Sequence, residues 1–401
     1  MVTSYFNFSV RTVIHNGSGS RTKLPELIKN LGGKRVVLFT DKGLTDAGVT
    51  EKITELFELM PGDVKLVGVF DHIVQDAKST IINQAAKFFK ENNGDALLAL
   101  GGGSVLDTVK GVKWMLHNNF TDVHEHLLGN VLESWPDVQP ISIPHVAVPT
   151  TAGTGAEVSP ISVIYNEQVN VKVNIINPFI NADMAVLDPE LTIGLPPKIS
   201  AFTGFDALTH AAEAYFSPQA NPMTDAYALQ STRMITENIT TAVHKGQSLK
   251  ARANMLMASS MAISAFSLSL NAIPVHNIAH ALGAKYGIPH GLANAVLLPN
   301  VMESLAPMYL PRIKGFAEAL GIENISDSPE LCLGQVTSYI RDLRNQVGLG
   351  STFEEANIDL NHLKDIVTAV QSDPAGVFFR IPEEIISKVI KEVSGSEVTS
   401  K

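Results

Sequence analysis

Residues 96–111 read ALLALGGGSVLDTVKG: an apolar run of strand length, three glycines in a row, then a stretch of helical spacing. Five apolar residues without polar alternation fit a strand buried on both faces, as interior strands of a parallel sheet are. Gly101, Gly102 and Gly103 allow a sharp turn and a close approach of backbone to ligand. A helix beginning near Ser104 directs its free N–H groups and partial positive charge toward that turn, which makes a seat for a phosphate. A plain strand-to-helix turn without a ligand has the same composition. The spacing matches neither G-x-G-x-x-G nor the lysine-bearing phosphate loop, so no standard nucleotide motif applies.

Outward from this segment, RVVLFT at 35–40, VKLVGVF at 64–70 and HVAVPT at 145–150 are further β-branched runs separated by amphipathic stretches. Such alternation predicts βαβ units and a Rossmann-like parallel sheet. Turn residues follow directly on several of the runs, at Asp41–Gly43, Gly101–Ser104 and Thr151–Gly155, where the ligand crevice of a doubly wound sheet lies. After LDPELTIGLPPK the pattern changes. SAFTGFDALTHAAEAYF, ARANMLMASSMAISAFSL and IPEEIISKVIKEV read as helices, and Pro196 and Pro197 break the chain before them. The expected division is an α/β dinucleotide-binding domain over 1–190 and an all-helical metal and substrate domain over 191–401, with function in the cleft between them.

The 401 residues carry a formal charge of −10, which argues against nucleic acid or an anionic membrane as the main partner and for a small molecule. Cys332 is the only cysteine, so an intrachain disulfide and thiolate-rich zinc sites are excluded. The first twenty residues lack the charged, apolar and small-residue regions of a signal peptide, and no apolar run approaches the roughly 18 residues that span a bilayer. Cytoplasmic residence is the expectation.

Candidate chemistry gathers in two places. In PTTAGTGAEVSP, the hydroxyls of Thr150, Thr151 and Thr154 suit a ribose or a pyrophosphate, although a solvated loop has the same make-up. Asp41 can accept from an adenosine ribose and would repel a 2′-phosphate, favouring NAD over NADP; an aspartate also opens many turns that hold no ligand. Farther on, Asp206 and His210 stand four apart on one predicted helical face. NAIPVHNIAHALGAKYGIPHGLANAVLLPN then places His276, His280 and His290 amid apolar neighbours, where imidazoles need partners, and Pro289 sets His290 at an element boundary. Imidazoles with a carboxylate suit zinc or iron(II). His124 and His126 in HEHLL lack the spacing of a metalloprotease helix and read as a solvated loop. No tyrosine precedes a lysine by four, so a Tyr/Lys catalytic pair is absent.

Together IHNGSGSRTKLPELIKNLGGKRVVLFTDKGL, GGGSVLD, PTTAGTGAEV, ADMAVLDPELTIGLPP and the two histidine segments make the chain resemble the iron-containing alcohol dehydrogenase family. That family shares the dehydroquinate synthase-like fold with glycerol dehydrogenases and dehydroquinate synthases. The resemblance implies a metal-dependent, NAD(H)-linked interconversion of a primary alcohol and its aldehyde, in a homodimer or larger homo-oligomer. It makes Asp206, His210, His276 and His290 the ligands of iron(II), with zinc as the other candidate, and places His280 at proton transfer. It assigns Gly101, Gly102, Gly103, Ser104 and Asp107 to the pyrophosphate, Thr150, Thr151 and Thr154 to the second cofactor loop, Lys172 to a cofactor ribose and Asp41 to NAD preference. Two departures stand out. Gln75, Asp76 and Ala77 replace the family's Asn-Pro or Glu-Pro, which bears on a cofactor contact, and FFRIPEE replaces Asn-Pro-Arg, which bears on the edge of the substrate pocket. A glycerol or hydroxy-acid dehydrogenase, a dehydroquinate synthase-like lyase and a non-enzymatic metal-binding protein are the alternatives.

Overall fold

The computed structural model describes residues 5–59 and 62–395; the first four positions of the segment considered above as a leader lie outside them. The chain divides into two compact units, one spanning Ser9–Gly194 and the other Leu195–Lys401 with the residues before Ser9.

The first unit runs β1 Val13–Asn16, α1 Leu24–Asn30, β2 Arg35–Asp41, α2 Lys42–Asp46, α3 Glu51–Leu59, β3 Lys65–Ile73, α4 Ser79–Glu91, β4 Ala96–Gly101, α5 Gly103–His117, β5 Val131–Leu132, β6 His145–Pro149, β7 Ile161–Asn166, β8 Val171–Ile176 and β9 Met184–Leu187. Six strands form one parallel sheet in the order β1-β9-β6-β4-β2-β3. The side-chain period of two divides each interior strand between two cores. Val37, Phe39, Leu97, Ala99 and Ala147 pack against Ile82, Ala85 and Phe89 of α4 and Val105, Val109 and Val112 of α5. Val36, Leu38, Leu98, Leu100, Val146 and Val148 pack with Leu24, Leu27 and Ile28 of α1 and Ile53 of α3. Burial on both faces is why these strands read as continuous apolar runs.

Strand order fixes where a ligand can sit. From β2 the chain steps outward to β3 and then returns to β4 on the other side of β2, so the order reverses between β2 and β4. Their carboxyl ends carry Asp41 and Gly101, and a switch point of this kind opens a crevice there. A second sheet, β5-β8-β7, was not anticipated from sequence; its hairpin β7–β8 pairs antiparallel from Ile161↔Ile176 to Asn166↔Val171. The expectation of a solvated loop at 124–126 is corrected. His124 is buried, with Nε2 2.8 Å from Ser79 Oγ and Nδ1 2.7 Å from Asp122 Oδ1; Glu125 and His126 are exposed.

In the second unit, among the described residues, every regular element is helical. These are α6 Pro197–Phe216, α7 Pro222–His244, α8 Leu249–Leu268, α9 Pro274–Tyr286, α10 His290–Ser304, α11 Ala306–Tyr309, α12 Ile313–Leu320, α13 Pro329–Gln346, α14 Leu363–Ser372 and α15 Glu383–Val393, with short 3-10 turns between some of them. Pro197 sits at the first position of α6, where its missing N–H has no cost. Asn221 and Thr224 form a capping box at the start of α7. Buried Arg252 of α8 reaches Ser200 Oγ at 2.6 Å and the carbonyls of Leu195 and Gly246, pinning α8 to the start of α6.

Gly287 ends α9 in left-handed conformation, and Pro289 precedes α10, so the chain reverses between His276 and His290. One residue later, a Cβ at Gly291 would lie 2.2 Å from the Phe202 carbonyl oxygen, so α10 approaches α6 backbone to backbone. Gly291→Ala is therefore expected to destabilise by about 1–3 kcal/mol through overpacking, read as a lowered melting temperature of the metal-free protein. An unchanged melting temperature would show that this contact yields freely.

Candidate metal and cofactor sites

The helical unit gathers six polar side chains in one place. On α6, Asp206, His210 and Glu213 follow one another at i, i+4 and i+7, so all three lie on one face. α9 brings His276 and α10 brings His290, with Asn294 one turn further along. One donor atom each from Asp206, His276 and His290 lies within 4.8 Å of the others. His276 Nε2 is 3.6 Å and His290 Nε2 3.4 Å from Asp206 Oδ1. His210 stands outside this triplet, its ring stacked on His276 at a centroid distance of 4.5 Å.

Glu213 and Asn294 were not singled out from sequence. One oxygen of the buried Glu213 carboxylate accepts from the Val275 backbone N–H at 2.7 Å, at the start of α9; the other accepts from His276 Nδ1. That bond fixes the tautomer and turns the Nε2 lone pair of His276 toward Asp206. Asn294 Nδ2 donates to Asp206 Oδ1 at 2.8 Å and lies 3.4 Å from His276 Nε2 and 3.2 Å from His290 Nε2. Three acceptors thus converge on a single buried amide. The only sequence signal for either residue was helical spacing, i+7 from Asp206 and i+4 from His290.

Electrostatics agree with the geometry. Burial opposes ionisation of Asp206, yet His210, then His276 and His290, hold its carboxyl well below the usual range. Burial likewise opposes charge on His276, but Glu213 and Asp206 outweigh it and push the imidazole up to about 9, so a proton on Nε2 takes the place that a bound cation would fill. Two buried carboxylates around one imidazole call for positive charge, and a carboxylate-imidazole donor set without thiolate fits zinc or iron(II). His280, one turn beyond His276, has its ring centroid 5.2 Å from that of His290 and its Nδ1 3.5 Å from Asp373 Oδ1.

In the α/β unit, Gly102 is the N-cap of the fifteen-residue α5 and offers no capping side chain. The helix N-terminus is left to bind an anion. Thr150 donates its N–H to the Gly101 carbonyl at 3.0 Å. A Cβ at Gly102 would lie 3.3 Å from Thr151 Oγ1, and one at Gly103 2.7 Å from Thr154 Cγ2, so the threonine loop lies alongside the glycine turn. Asp41 ends β2, and its Oδ1 accepts from Leu44 N–H at 3.0 Å as the N-cap of α2. Asp107 is engaged elsewhere: its Oδ1 is 2.8 Å from buried Lys110 Nζ, and burial raises its pKa against the pull of that lysine. Lys172, on β8, pairs at 2.7 Å with Asp76. The glycine turn, the flanking hydroxyls and the uncapped helix fit a dinucleotide pyrophosphate.

Glu213→Gln is expected to weaken binding of a divalent ion by about 10–100-fold, because the partner that orients and polarises His276 is lost. Competition with a chromophoric chelator measures this, and unchanged affinity would remove Glu213 from the account.

Two family models cover most of the chain: "Iron-containing alcohol dehydrogenase" matches residues 11–189, and "Fe-containing alcohol dehydrogenase family, C-terminal" matches 200–393. A 1,3-propanediol dehydrogenase from Citrobacter freundii is 39% identical over 349 residues, covering 84% of this chain and 86% of the relative. An NAD-dependent methanol dehydrogenase from Bacillus methanolicus is 33% identical over 320 residues, covering 80% and 81%. Among solved structures, a 1,3-propanediol oxidoreductase superposes with a TM-score of 0.88 at 31% identity, covering 97% of this chain and all of its own. The chain belongs to the iron-containing alcohol dehydrogenase family of oxidoreductases.

Proposed function

We propose that this family member interconverts a primary alcohol and its aldehyde with NAD(H), using iron(II), or zinc in its place, held by Asp206, His276 and His290 with His210 alongside. The observation that carries this is the convergence of donor atoms from buried Asp206 and His276 and half-buried His290 within 4.8 Å of one another. A divalent ion there supplies Lewis acidity toward the oxygen of the alcohol, and NAD supplies the hydride acceptor. Iron(II) would suit this carboxylate and imidazole set, with zinc as the other candidate.

The chain's own groups divide the remaining tasks. Glu213 keeps His276 in one tautomer, and Asn294 steadies Asp206 by its amide bond. His280 takes the alcohol proton at a ring nitrogen and passes it on toward solvent, with Asp373 beside Nδ1. Gly101–Ser104 and the start of α5 hold the pyrophosphate, with Thr150, Thr151 and Thr154 beside it and Asp107 braced behind through Lys110. Lys172 faces a ribose, and Asp41 disfavours NADP by repelling its 2′-phosphate.

A primary alcohol and NAD are supported by two relatives named for 1,3-propanediol and for NAD-dependent methanol oxidation. The lyase alternative calls for basic groups around the metal, whereas Glu213, Asn294 and Phe266 surround the imidazoles here. No helix among the described residues is long and apolar enough to cross a membrane. A cytoplasmic homodimer or larger homo-oligomer completes the proposal, consistent with a lone, buried, unpaired cysteine.

The decisive assay follows NADH oxidation anaerobically on metal-stripped protein, with short aldehydes and either iron(II) or zinc restored. Turnover that requires metal is the expected result; none with either metal, or with NADPH substituted, would contradict it. His276→Ala should lose the ion and its turnover while NADH binding persists, and full activity with metal retained would refute the ligand assignment. Asp41→Gly should narrow the preference for NAD over NADP, seen in the ratio of kcat/KM values; an unmoved ratio would take Asp41 out of the ribose site.

A further inference from the structure

His280 and Asp373, the pair assigned above to the alcohol proton, come from different elements. The imidazole sits on α9, one turn past His276, and the carboxylate just past the end of α14, with Oδ1 3.5 Å from His280 Nδ1. That separation is too long for a strong hydrogen bond, so the two groups do not fix each other. The carboxylate is fixed from behind. Asp373 Oδ1 accepts from the Ala375 N–H at 2.8 Å and the Asp373 carbonyl from the Gly376 N–H at 3.0 Å, which locks it into the short 3-10 turn Pro374–Gly376. Where this turn lies decides how the carboxylate meets the ring.

Asn277 holds the turn at both ends. It stands on α9 between His276 and His280, is buried, and donates from Nδ2 to the Val370 carbonyl at 2.9 Å. The same carbonyl, in the last turn of α14, accepts from the Asp373 N–H at 3.3 Å, so amide and aspartate share one acceptor. At the other end, a Cβ at Gly376 would lie 3.0 Å from Asn277 Oδ1 and 3.3 Å from Nδ2, so the turn rests on the amide with little room for a methyl. Docking of α14 does not call for an asparagine here. That helix packs against α9 and α15 and buries Ile366, Val367 and Val370, a surface that an apolar side chain at 277 would serve as well. A buried amide carries a desolvation cost that its hydrogen bond must offset. What it adds is a set distance between α9 and the turn.

We propose that Asn277 is a positioning residue for proton release, holding the Asp373 carboxylate against the His280 ring. This rests on His280's being the carrier of the alcohol proton. In alcohol oxidation the hydride leaves carbon for NAD, the hydroxyl proton passes to a His280 ring nitrogen, and the ring returns it to water beside Asp373; the two side chains are 17% and 14% exposed, which gives them a route to solvent. A carboxylate kept beside the ring stabilises the imidazolium formed on the way. A turn free to drift withdraws that support while the metal ligands stay in place.

The test follows alcohol oxidation by the full-length protein loaded with zinc or iron(II), with ion affinity from chelator competition, NADH affinity from fluorescence and melting temperature measured on the same variants. Asn277→Ala and Gly376→Ala should each lower kcat about tenfold, with a larger solvent isotope effect and partial recovery in imidazole buffer, at unchanged ion and NADH affinity. The double variant should be no slower than either single one, because the methyl at 376 enters the space the amide leaves. Asn277→Leu, which keeps the bulk but cannot donate, should match Asn277→Ala in rate, and it serves if the alanine variant does not fold. Unchanged kcat in Asn277→Ala, Asn277→Leu and Gly376→Ala beside a slow Asp373→Asn would overturn the role of Asn277 alone. So would a fall in kcat that tracks ion affinity or melting temperature, or that imidazole leaves untouched. A full rate in His280→Ala, or no turnover by the unaltered protein, would overturn the proton route and the positioning role together.

Discussion

Asp206 is a carboxylate buried among imidazoles, and the helical unit is arranged around keeping it charged. An isolated carboxylate would surrender its charge in such a place; this one is held by His210, His276, His290 and the amide of Asn294. Glu213 adds a second buried negative group on the same helical face, and it anchors the start of α9 while it orients His276. A structural ion pair would need one cation. Here two buried carboxylates draw positive charge to one point beside His276, which a proton on its Nε2 meets or a divalent ion in its place.

The backbone supplies the means. The left-handed Gly287 and Pro289 reverse the chain so that two histidines fourteen residues apart meet with ring centroids 5.3 Å apart. Gly291 then allows α10 to seat against the α6 backbone, which carries Asp206 on the following turns. In the α/β unit a comparable economy operates at the switch point. Asp41, the glycine turn and the threonine loop come from the ends of β2, β4 and β6, and the sheet places those ends side by side.

Much of this was legible in the sequence because periodicity reports burial. The runs at β2, β3, β4 and β6 gave the sheet, and Asp206, His210, His276, His280 and His290 were marked by helical spacing and by the oddity of histidines amid Ala, Leu and Ile, with the resemblance alone separating His280 from the others. Glu213 was hidden, since a glutamate on a helix reads as a solvated face until its neighbours across the packing are known. Lys110, Lys113 and Arg252 were hidden likewise. Each is buried because carbonyl oxygens from segments far along the chain meet its charge, at Ser159, at Asn181 and at Leu195, beside nearer partners such as Asp107 and Gly246, and the sequence does not announce those distant contacts. His124 was taken for a loop residue for the same reason, its partner Ser79 lying forty-five positions away. The short, alternating strands β7 and β8 escaped notice beside the stronger apolar runs.

The central claim is that the three converging acceptors are the metal centre. Crystals of protein loaded with one equivalent of zinc or iron(II), measured at the absorption edge of the metal, test it directly. The account predicts one anomalous peak per chain at the meeting point of Asp206, His276 and His290, with His210 turned to the same ion. A peak elsewhere, or none at this point in protein that retains the metal, would contradict it.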